Sequence, residues 1–446
     1  MATTNIESSN ACEVEVFDED RVFRRIAWKL MPTVFCCYMI AIFDRVNIGF
    51  AKLQMSEAIG LSATAYGLGA GIFFIGYCLF EIPSNLLLSR IGARIWISRI
   101  MVTWGVVTLL TAFVRTPFQF FLARLLLGVA EAGFFPGVVL YLSQWFPKER
   151  HGRVMSLFML AGPISSIFVG PLSGWTLSAL SGHGDFQGWQ WLFIVGGVPA
   201  LGMGVIFYLN ACDTPDRAQW LPESDKTCVE AAIARSAVEA HQQVRLTAAL
   251  FNWKVWTVGL VLASGYLALY GIIFWLPSIL KNSGISSFKT IGLLSAVPWV
   301  LAAGATLLFG YTSDRFEKRR IHIFAGLLLG ALGLAASVKI AHSFAESYAA
   351  LSVGCACIVG TFAVTWSLVS QHLGKRDAAA GFALTNTLAS VGSFVGPYLM
   401  GASQEHFGNL QMPTLLLAMV TAAGAVLILS VPESQQRRNH RQIVDV

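Results

Sequence analysis

A chain of 446 residues that is 55% hydrophobic and only 13% charged, with a mean hydropathy of +0.62, is not a soluble globular protein, because soluble domains carry roughly 25% charged residues. Its net charge of +6 would suggest a nucleic-acid partner if the bases formed a patch; they fall instead in loops between apolar runs, where they report topology. The composition specifies an integral membrane protein that binds no nucleic acid.

The first 28 residues are polar and acid-rich (Glu13, Glu15, Asp18, Glu19, Asp20). That speaks against a cleavable signal peptide and makes 1–28 a cytoplasmic N-terminal segment. Apolar runs follow near 29–50, 67–89, 95–114, 118–142, 154–179 and 190–210, and again near 254–280, 291–311, 321–341, 345–371, 379–402 and 410–431. Each is about 20 residues or longer, enough to cross a hydrocarbon core of roughly 30 Å at 1.5 Å per residue. A membrane β-barrel would show alternating segments of about ten residues instead. The fold class is therefore all-α, with twelve transmembrane helices in two six-helix bundles, 29–210 and 254–431. Between them lies a cytoplasmic loop, 211–253, in which Asp213-Thr214-Pro215-Asp216 stops the sixth helix and 224–243 is expected to be a surface helix capped by Ser224. Residues 432–446 form a cytoplasmic tail.

The bases give the orientation. With both termini and every even-to-odd loop on one side, that side holds 24 of the 31 Lys and Arg residues, among them Arg21, Arg24 and Arg25, Arg90 and Arg94, Lys148 to Arg153, Arg315 to Arg320, Lys375 and Arg376, and Arg437 to Arg441. The other side holds five (Lys52, Arg115, Lys281, Lys289, Lys339), and the remaining two, Arg45 and Arg124, lie inside spans. Positive-inside counting places both termini in the cytoplasm of a cell whose inner membrane the chain crosses.

Those two internal arginines mark the functional site. Asp44 and Arg45 lie in the first apolar run, and Arg124 and Glu131 in the fourth. Charges at that depth are costly and usually face a bundle interior or a water-filled cavity. Two acids and two arginines on two segments suit an anion and a proton. Neighbouring helical residues point about 100° apart, so Asp44 and Arg45 do not pair with each other. Arg124 and Glu131 are two turns apart on one face, about 10 Å along the axis, too far for direct contact. Arg45 is the candidate substrate ligand, because a guanidinium offers a carboxylate two parallel donors and keeps its charge; Arg124 is its companion. Asp44 and Glu131 are the candidate proton carriers: burial favours the neutral acid and a nearby arginine the carboxylate, a balance an arriving anion can tip. A static salt-bridge network between the spans is the competing reading.

Other chemistry is excluded. The eight cysteines (12, 36, 37, 78, 212, 228, 355, 357) have no metal-ligand spacing, the histidines form no catalytic set, and no phosphate loop supports ATP-driven transport. The chain is expected to be no enzyme, to need no cofactor or metal, and to act as a monomer.

The halves repeat. Phe168-Val-Gly170-Pro171 recurs as Phe394-Val-Gly396-Pro397, and Arg90 and Arg94 correspond to Arg315 and Arg319. Parallel six-helix halves belong to transporters that rock around a midplane site. Gly310-x-x-x-Asp314-Arg315-x-x-x-Arg319-Arg320 resembles the cytoplasmic loop motif of the major facilitator superfamily. Asp44-Arg45-Val-Asn-Ile-Gly-Phe-Ala, Glu81-Ile-Pro-Ser-Asn, Arg124-Leu-Leu-Leu-Gly-Val-Ala-Glu131-Ala-Gly-Phe-Phe-Pro-Gly and Trp145-Phe-Pro-Lys-Glu-Arg-His-Gly-Arg153 are similar to its anion:cation symporter family. The resemblance spans about 20–432. Ser89 stands where the first-half loop motif commonly has an acid.

Such a resemblance implies uptake of hydroxy acids, sugar acids or aromatic carboxylates, usually with protons. It places Tyr77, Trp366 and Asn386 where substrate is contacted, and gives Arg90, Arg94, Gly310, Asp314, Arg315 and Arg319 a gating role. Glu81 is expected to cap a helix or pair with a loop arginine. With Ile42, Phe43, Tyr77, Gly162, Thr365 and Trp366 as the inward-facing candidates, the wall is apolar and favours an aromatic or short hydroxy acid over a sugar acid. Sodium coupling through the same acids, and a transport-dead sensor signalling through 211–253, are the alternatives.

Overall fold

A computed structural model describes residues 19–237, 252–340, 342–372 and 378–432, and these are almost entirely helical. The first half comprises span 1 (Glu19–Ala58), span 2 (Ala63–Ile91), span 3 (Ala93–Thr111), span 4 (Pro117–Ser143), span 5 (Lys148–Ala179) and span 6 (Gly188–Asn210). The second comprises span 7 (Trp253–Asn282), span 8 (Phe288–Phe316), span 9 (Arg319–Lys339), span 10 (Phe344–His372), span 11 (Ala378–Phe407) and span 12 (Gln411–Ile428). Eleven of these are long and apolar enough to cross a membrane, and span 11 adds a helix of 30 residues. The all-α architecture of twelve long helices matches the sequence reading.

Two details differ. Span 1 is helical from Glu19, the first described residue, ten residues before its apolar run, and the acids Glu19 and Asp20 suit the early turns of a helix. The surface helix runs Glu223–Ala237, and Pro222 accepts its first backbone bond, from the Lys226 N–H at 3.0 Å. Ser224 therefore lies inside the first turn and is not the cap. Residues 238–243 of the expected helix, the basic residues 375, 376, 437, 438 and 441, and the segments 1–18 and 433–446 fall outside the described residues.

The contacts follow the repeat. Span 3 packs on span 6 as span 9 does on span 12, span 2 on span 4 as span 8 on span 10, and span 1 on span 5 as span 7 on span 11. The halves meet through the symmetric pairs 5·8 and 11·2 and through spans 1 and 7. Small residues allow these crossings, since helix association in lipid depends on close backbone approach. A Cβ on Gly170 would lie 2.4 Å from the Gly292 carbonyl, so only glycine fits that seam.

The seam of spans 2 and 11 runs on to Glu81 and Asn386 nearer the basic end, while the close backbone approaches in these seams lie toward the end away from the N-terminus of span 1. There Glu405 accepts bonds from Ser62 Oγ and the Thr64 N–H, both at 3.0 Å. Tyr66 donates to the Phe274 carbonyl, and Lys52 sits 2.9 Å from the centre of the Trp275 ring and 4.8 Å from that of Tyr66. This cation held between aromatic faces ties span 1 to span 7. At the opposite, basic end, the segments Phe134–Ser143 and Lys148–Met159 pack on elements of their own half. The halves are thus sealed at one end and part toward the basic one.

Span 1 continues through Asn47 with helical dihedrals and its backbone bonds to Phe43 and from Ala51 intact, whereas span 4 is interrupted: it breaks after Glu131, where Gly133 adopts φ +84°. A side chain there would also meet Ser84, with a Cβ 2.3 Å from its hydroxyl oxygen. Gly133→Val should therefore cost about 1–3 kcal/mol and lower the melting temperature of the purified protein by several degrees. Gly152→Ala, with open space around it, should melt like the parent; equal melting of all three proteins would contradict this reading of the break.

Candidate functional site

The four internal charges gather in the first half, beside the break in span 4. Each is part of a separate arrangement, as neighbouring helical phases require. Asp44, 1% exposed, turns toward span 3, where Trp104 Nε1–H donates to Oδ2 at 2.9 Å and Thr108 Oγ–H donates to the same oxygen at 2.6 Å. Its other oxygen, Oδ1, has no hydrogen-bond partner. Arg45 points the other way and forms an ion pair with Glu131, bridging spans 1 and 4. The carboxylate is buried, with Oε2 unpartnered, while the guanidinium keeps 17% of its side chain exposed.

Arg124 does not reach Glu131, as its two-turn separation required. It makes one long bond to the Ala70 carbonyl, 3.4 Å, and its Nε and Nη1 are buried without partners. Its guanidinium lies 5.0 Å from the centre of the Phe73 ring, and that of Arg45 lies 5.2 Å from the same ring. Phe73, fully buried on span 2, thus contacts both cations. A ring's negative face lowers the cost of placing two positive groups close together. Tyr77, one turn on, also approaches Arg45, with its ring centre 5.6 Å from the guanidinium.

Of the second-half candidates, Trp366 stacks on Phe382 with centroids 5.8 Å apart, on the wall beside Tyr266. Asn386 does not approach Arg45. Its Nδ2 donates to both oxygens of Glu81, at 3.0 and 3.3 Å, across the two halves. Glu81 consequently pairs with an amide on span 11, and the expected cap or loop-arginine partner is corrected. The reason is the seam between spans 2 and 11, which brings Glu81 against the other half before it can reach the loop.

Two lining candidates are also corrected. Phe43 packs against span 6, with its ring 3.4 Å from where a Gly196 Cβ would stand, and Thr365 is buried, donating to Thr361 of its own helix at 2.8 Å. The residues sequence reasoning missed are aromatic: Tyr38, which meets Phe158 at 4.8 Å and Phe135 at 5.8 Å, and the opposing Tyr266 and Tyr270 on span 7. Tyr270 stacks edge-on to Phe74 at 4.5 Å and Tyr266 on Phe362 at 4.6 Å. Spacing alone could have found Tyr38, seven residues before Arg45 on the same face of span 1.

The loop motif is only partly engaged. Arg319 binds Asp314 at 3.1 Å, and Arg315 approaches the Tyr311 hydroxyl at 3.4 Å. In the first half, where Ser89 replaces the acid, Asp213 from the end of span 6 accepts the Arg94 N–H at 2.8 Å, and Arg94 Nε–H donates to the Tyr208 carbonyl. Gly310 has open space around it, and Arg90 forms no ion pair among the described residues. Among those residues no group of histidines, cysteines and acids could hold a metal.

Comparison with known proteins agrees with this fold. Residues 34–397 and 286–442 match the profile described as Major Facilitator Superfamily. A protein of Agrobacterium vitis, provisionally named a tartrate transporter, is 39% identical over 92% of this chain and 95% of its own. A protein of Acinetobacter baumannii named a quinolone resistance transporter is 37% identical over 96% of this chain and 98% of its own. The structure of a bacterial homologue of the human lysosomal transporter Spinster, in an inward-facing and occupied conformation, superposes with a TM-score of 0.73 at 16% identity, covering 90% of this chain and 95% of that one.

The donors around Asp44 can be tested directly. Thr108→Val leaves the buried Asp44 carboxyl one donor short, a loss of about 1–3 kcal/mol, so the purified protein should melt at a lower temperature. Thr108→Ser, which keeps the hydroxyl, should recover most of it; identical melting of the valine variant and the parent would show that this bond does not hold Asp44.

Proposed function

Because the chain belongs to the Major Facilitator Superfamily, we propose that it is a secondary transporter which carries a small organic carboxylate across the bilayer together with protons, by alternating access. The observation that carries this reading is the buried Arg45–Glu131 ion pair, with Arg124 beside it holding unpartnered donors. A fixed positive charge attracts an anion into the apolar interior, and a carboxylate paired to it can be displaced.

The cycle follows from competition for Arg45. The substrate carboxylate takes the guanidinium from Glu131, whose carboxylate is then buried without a counter-charge. An uncompensated buried charge is strongly destabilising, so Glu131 takes up a proton. The neutral, loaded site then allows the halves to rock. Asp44, held by Trp104 and Thr108 with one free oxygen, is a second proton carrier in this scheme. Reversal at the other face releases anion and proton together.

The seal at one end and the parting at the basic end support an inward-facing state. They do so with both termini in the cytoplasm of the inner membrane, as the distribution of bases indicates. Importer direction follows from the proposed coupling, because a symporter carries its substrate the way its coupling ion runs, here with an inward proton gradient. The cavity wall from Tyr38, Tyr77, Tyr266 and Tyr270 combines aromatic faces with hydroxyls. That mixture favours an aromatic or short hydroxy acid over a polyhydroxylated sugar acid. The name of the tartrate relative supports the hydroxy acid; that of the quinolone relative favours a second reading, export of a drug.

Uptake of labelled tartrate and of a benzoate-type acid into vesicles, with an imposed pH gradient or a sodium gradient, tests the proposal. Accumulation should follow the pH gradient and ignore sodium. Accumulation that follows sodium alone, or no uptake of any carboxylate, would overturn it. Glu131→Gln should abolish accumulation against a gradient while leaving counterflow exchange intact. Arg45→Lys keeps the charge but loses the paired donors, and should raise the substrate concentration for half-maximal uptake at least tenfold at equal expression. Normal transport by either variant would remove that residue from the scheme.

A further inference from the structure

The transport cycle leaves Glu81 without a task, yet its place on span 2 is specific. Glu81 lies about 40° around the helix from Tyr77, which approaches Arg45, and about 20° from Phe74, which packs on Tyr270 of span 7. On its other side Gly67, also about 40° away, meets span 11 at the Pro397 carbonyl. The apolar side chains that span 2 exposes, Ile75, Leu79, Ile82 and Leu86, all lie at least about 100° from it. Glu81 therefore faces the bundle interior, between spans 1, 7 and 11. It is only partly buried there, so its exposure is to the opening between the halves and not to lipid.

Its charge is unanswered. Asn386 Nδ2 donates to both carboxylate oxygens, at 3.0 and 3.3 Å, but an amide is neutral. Among the described residues no lysine or arginine forms an ion pair with Glu81, and Arg45 is committed to Glu131. A carboxylate has about four acceptor positions, so beyond the bonds from Asn386 it presents acceptors and a negative charge to whatever enters. A second carboxylate would be repelled there. A partly desolvated acid with no counter-charge is destabilising, and a cation arriving with the substrate would relieve it. The tie between the halves does not itself need an acid, since a glutamine oxygen would accept the same Asn386 bond.

Resting on the reading of Arg45 as the carboxylate ligand, we propose that Glu81 is a specificity residue for a second substrate group. The preferred substrate is a zwitterion: its carboxylate takes Arg45, and its protonated nitrogen is held by Glu81 on the side of the basic end, with Asn386 positioning the acid. From Tyr77 to Glu81 is one helical turn, about 6 Å along the axis, so the two charged groups of the substrate are separated by the length of one aromatic ring.

Labelled 4-(aminomethyl)benzoate, whose amine is protonated near neutral pH, and 4-methylbenzoate, which lacks the nitrogen, test this in vesicles carrying the full-length protein under an imposed pH gradient. The parent should take up the amine at a half-saturating concentration at least tenfold lower, as a hydrogen bond between charged groups gives. Glu81→Gln should bring the two acids to similar concentrations while leaving 4-methylbenzoate uptake near the parent's; a role in the seam alone would change both acids together. Glu81→Asp, which keeps the charge, should keep part of the preference. Equal half-saturation in the parent, a preference that survives in Glu81→Gln, or equal loss of both acids in that variant would overturn this inference and leave carboxylate transport standing. Uptake of tartrate with neither benzoate would overturn it likewise, whereas no uptake of any of the three acids would overturn the carboxylate reading as well.

Discussion

The ion pair between Arg45 and Glu131 is the constraint to which the rest of the molecule answers. Two charges taken from water into an apolar bundle lose several kcal/mol of hydration each, and their attraction restores this only with good geometry and full hydrogen bonding. Here the geometry is incomplete: Arg45 Nε and Glu131 Oε2 have no partners. A pair kept for stability alone would have every lone pair and donor engaged. One left with open positions is suited to exchanging partners, and the second guanidinium of Arg124 nearby, also underused, favours an incoming anion over any apolar guest.

The surrounding structure keeps that unstable arrangement in place. Phe73 presents a π surface to both guanidiniums, and the break after Glu131, with Gly133 at positive φ, ends the helical segment where the carboxylate must turn toward span 1. Trp104 and Thr108 engage Asp44 from the opposite side, so the adjacent acid and arginine of span 1 are kept apart. At the sealed end, Lys52 between Trp275 and Tyr66 and the glycine contact of Gly170 with Gly292 hold the halves together. These contacts would have to part for the opposite opening. The Asn386–Glu81 bond, nearer the open end, links the halves close to the cavity.

Much of this was legible in the sequence, and for physical reasons. Twelve helices can be read because a bilayer demands about twenty apolar residues per crossing. The repeat shows in Phe168 to Pro171 and Phe394 to Pro397, and the contact pairs follow it. Arg45, Arg124, Asp44 and Glu131 stand out because charge at that depth is rare. Partners across the bundle were not legible. In helices apolar on every side, periodicity does not mark which face turns inward, so Phe43 reads as a cavity residue although it packs on span 6, and nothing singles out Tyr270. Trp104, Thr108 and Phe73 are ordinary members of apolar runs. The tie from Asn386 to Glu81 joins residues 305 apart, and only the crossing of spans 2 and 11 brings them together.

The central claim is that the substrate anion takes Arg45 from Glu131 and that Glu131 then carries a proton. Infrared difference spectroscopy of the protein in membranes, before and after adding a transported carboxylate, measures that event itself. The account predicts that substrate produces the carbonyl stretch of a newly protonated, buried carboxylic acid, and that this band is absent in Glu131→Gln. Substrate binding with no such band in the parent, or with the same band in the glutamine variant, would contradict it.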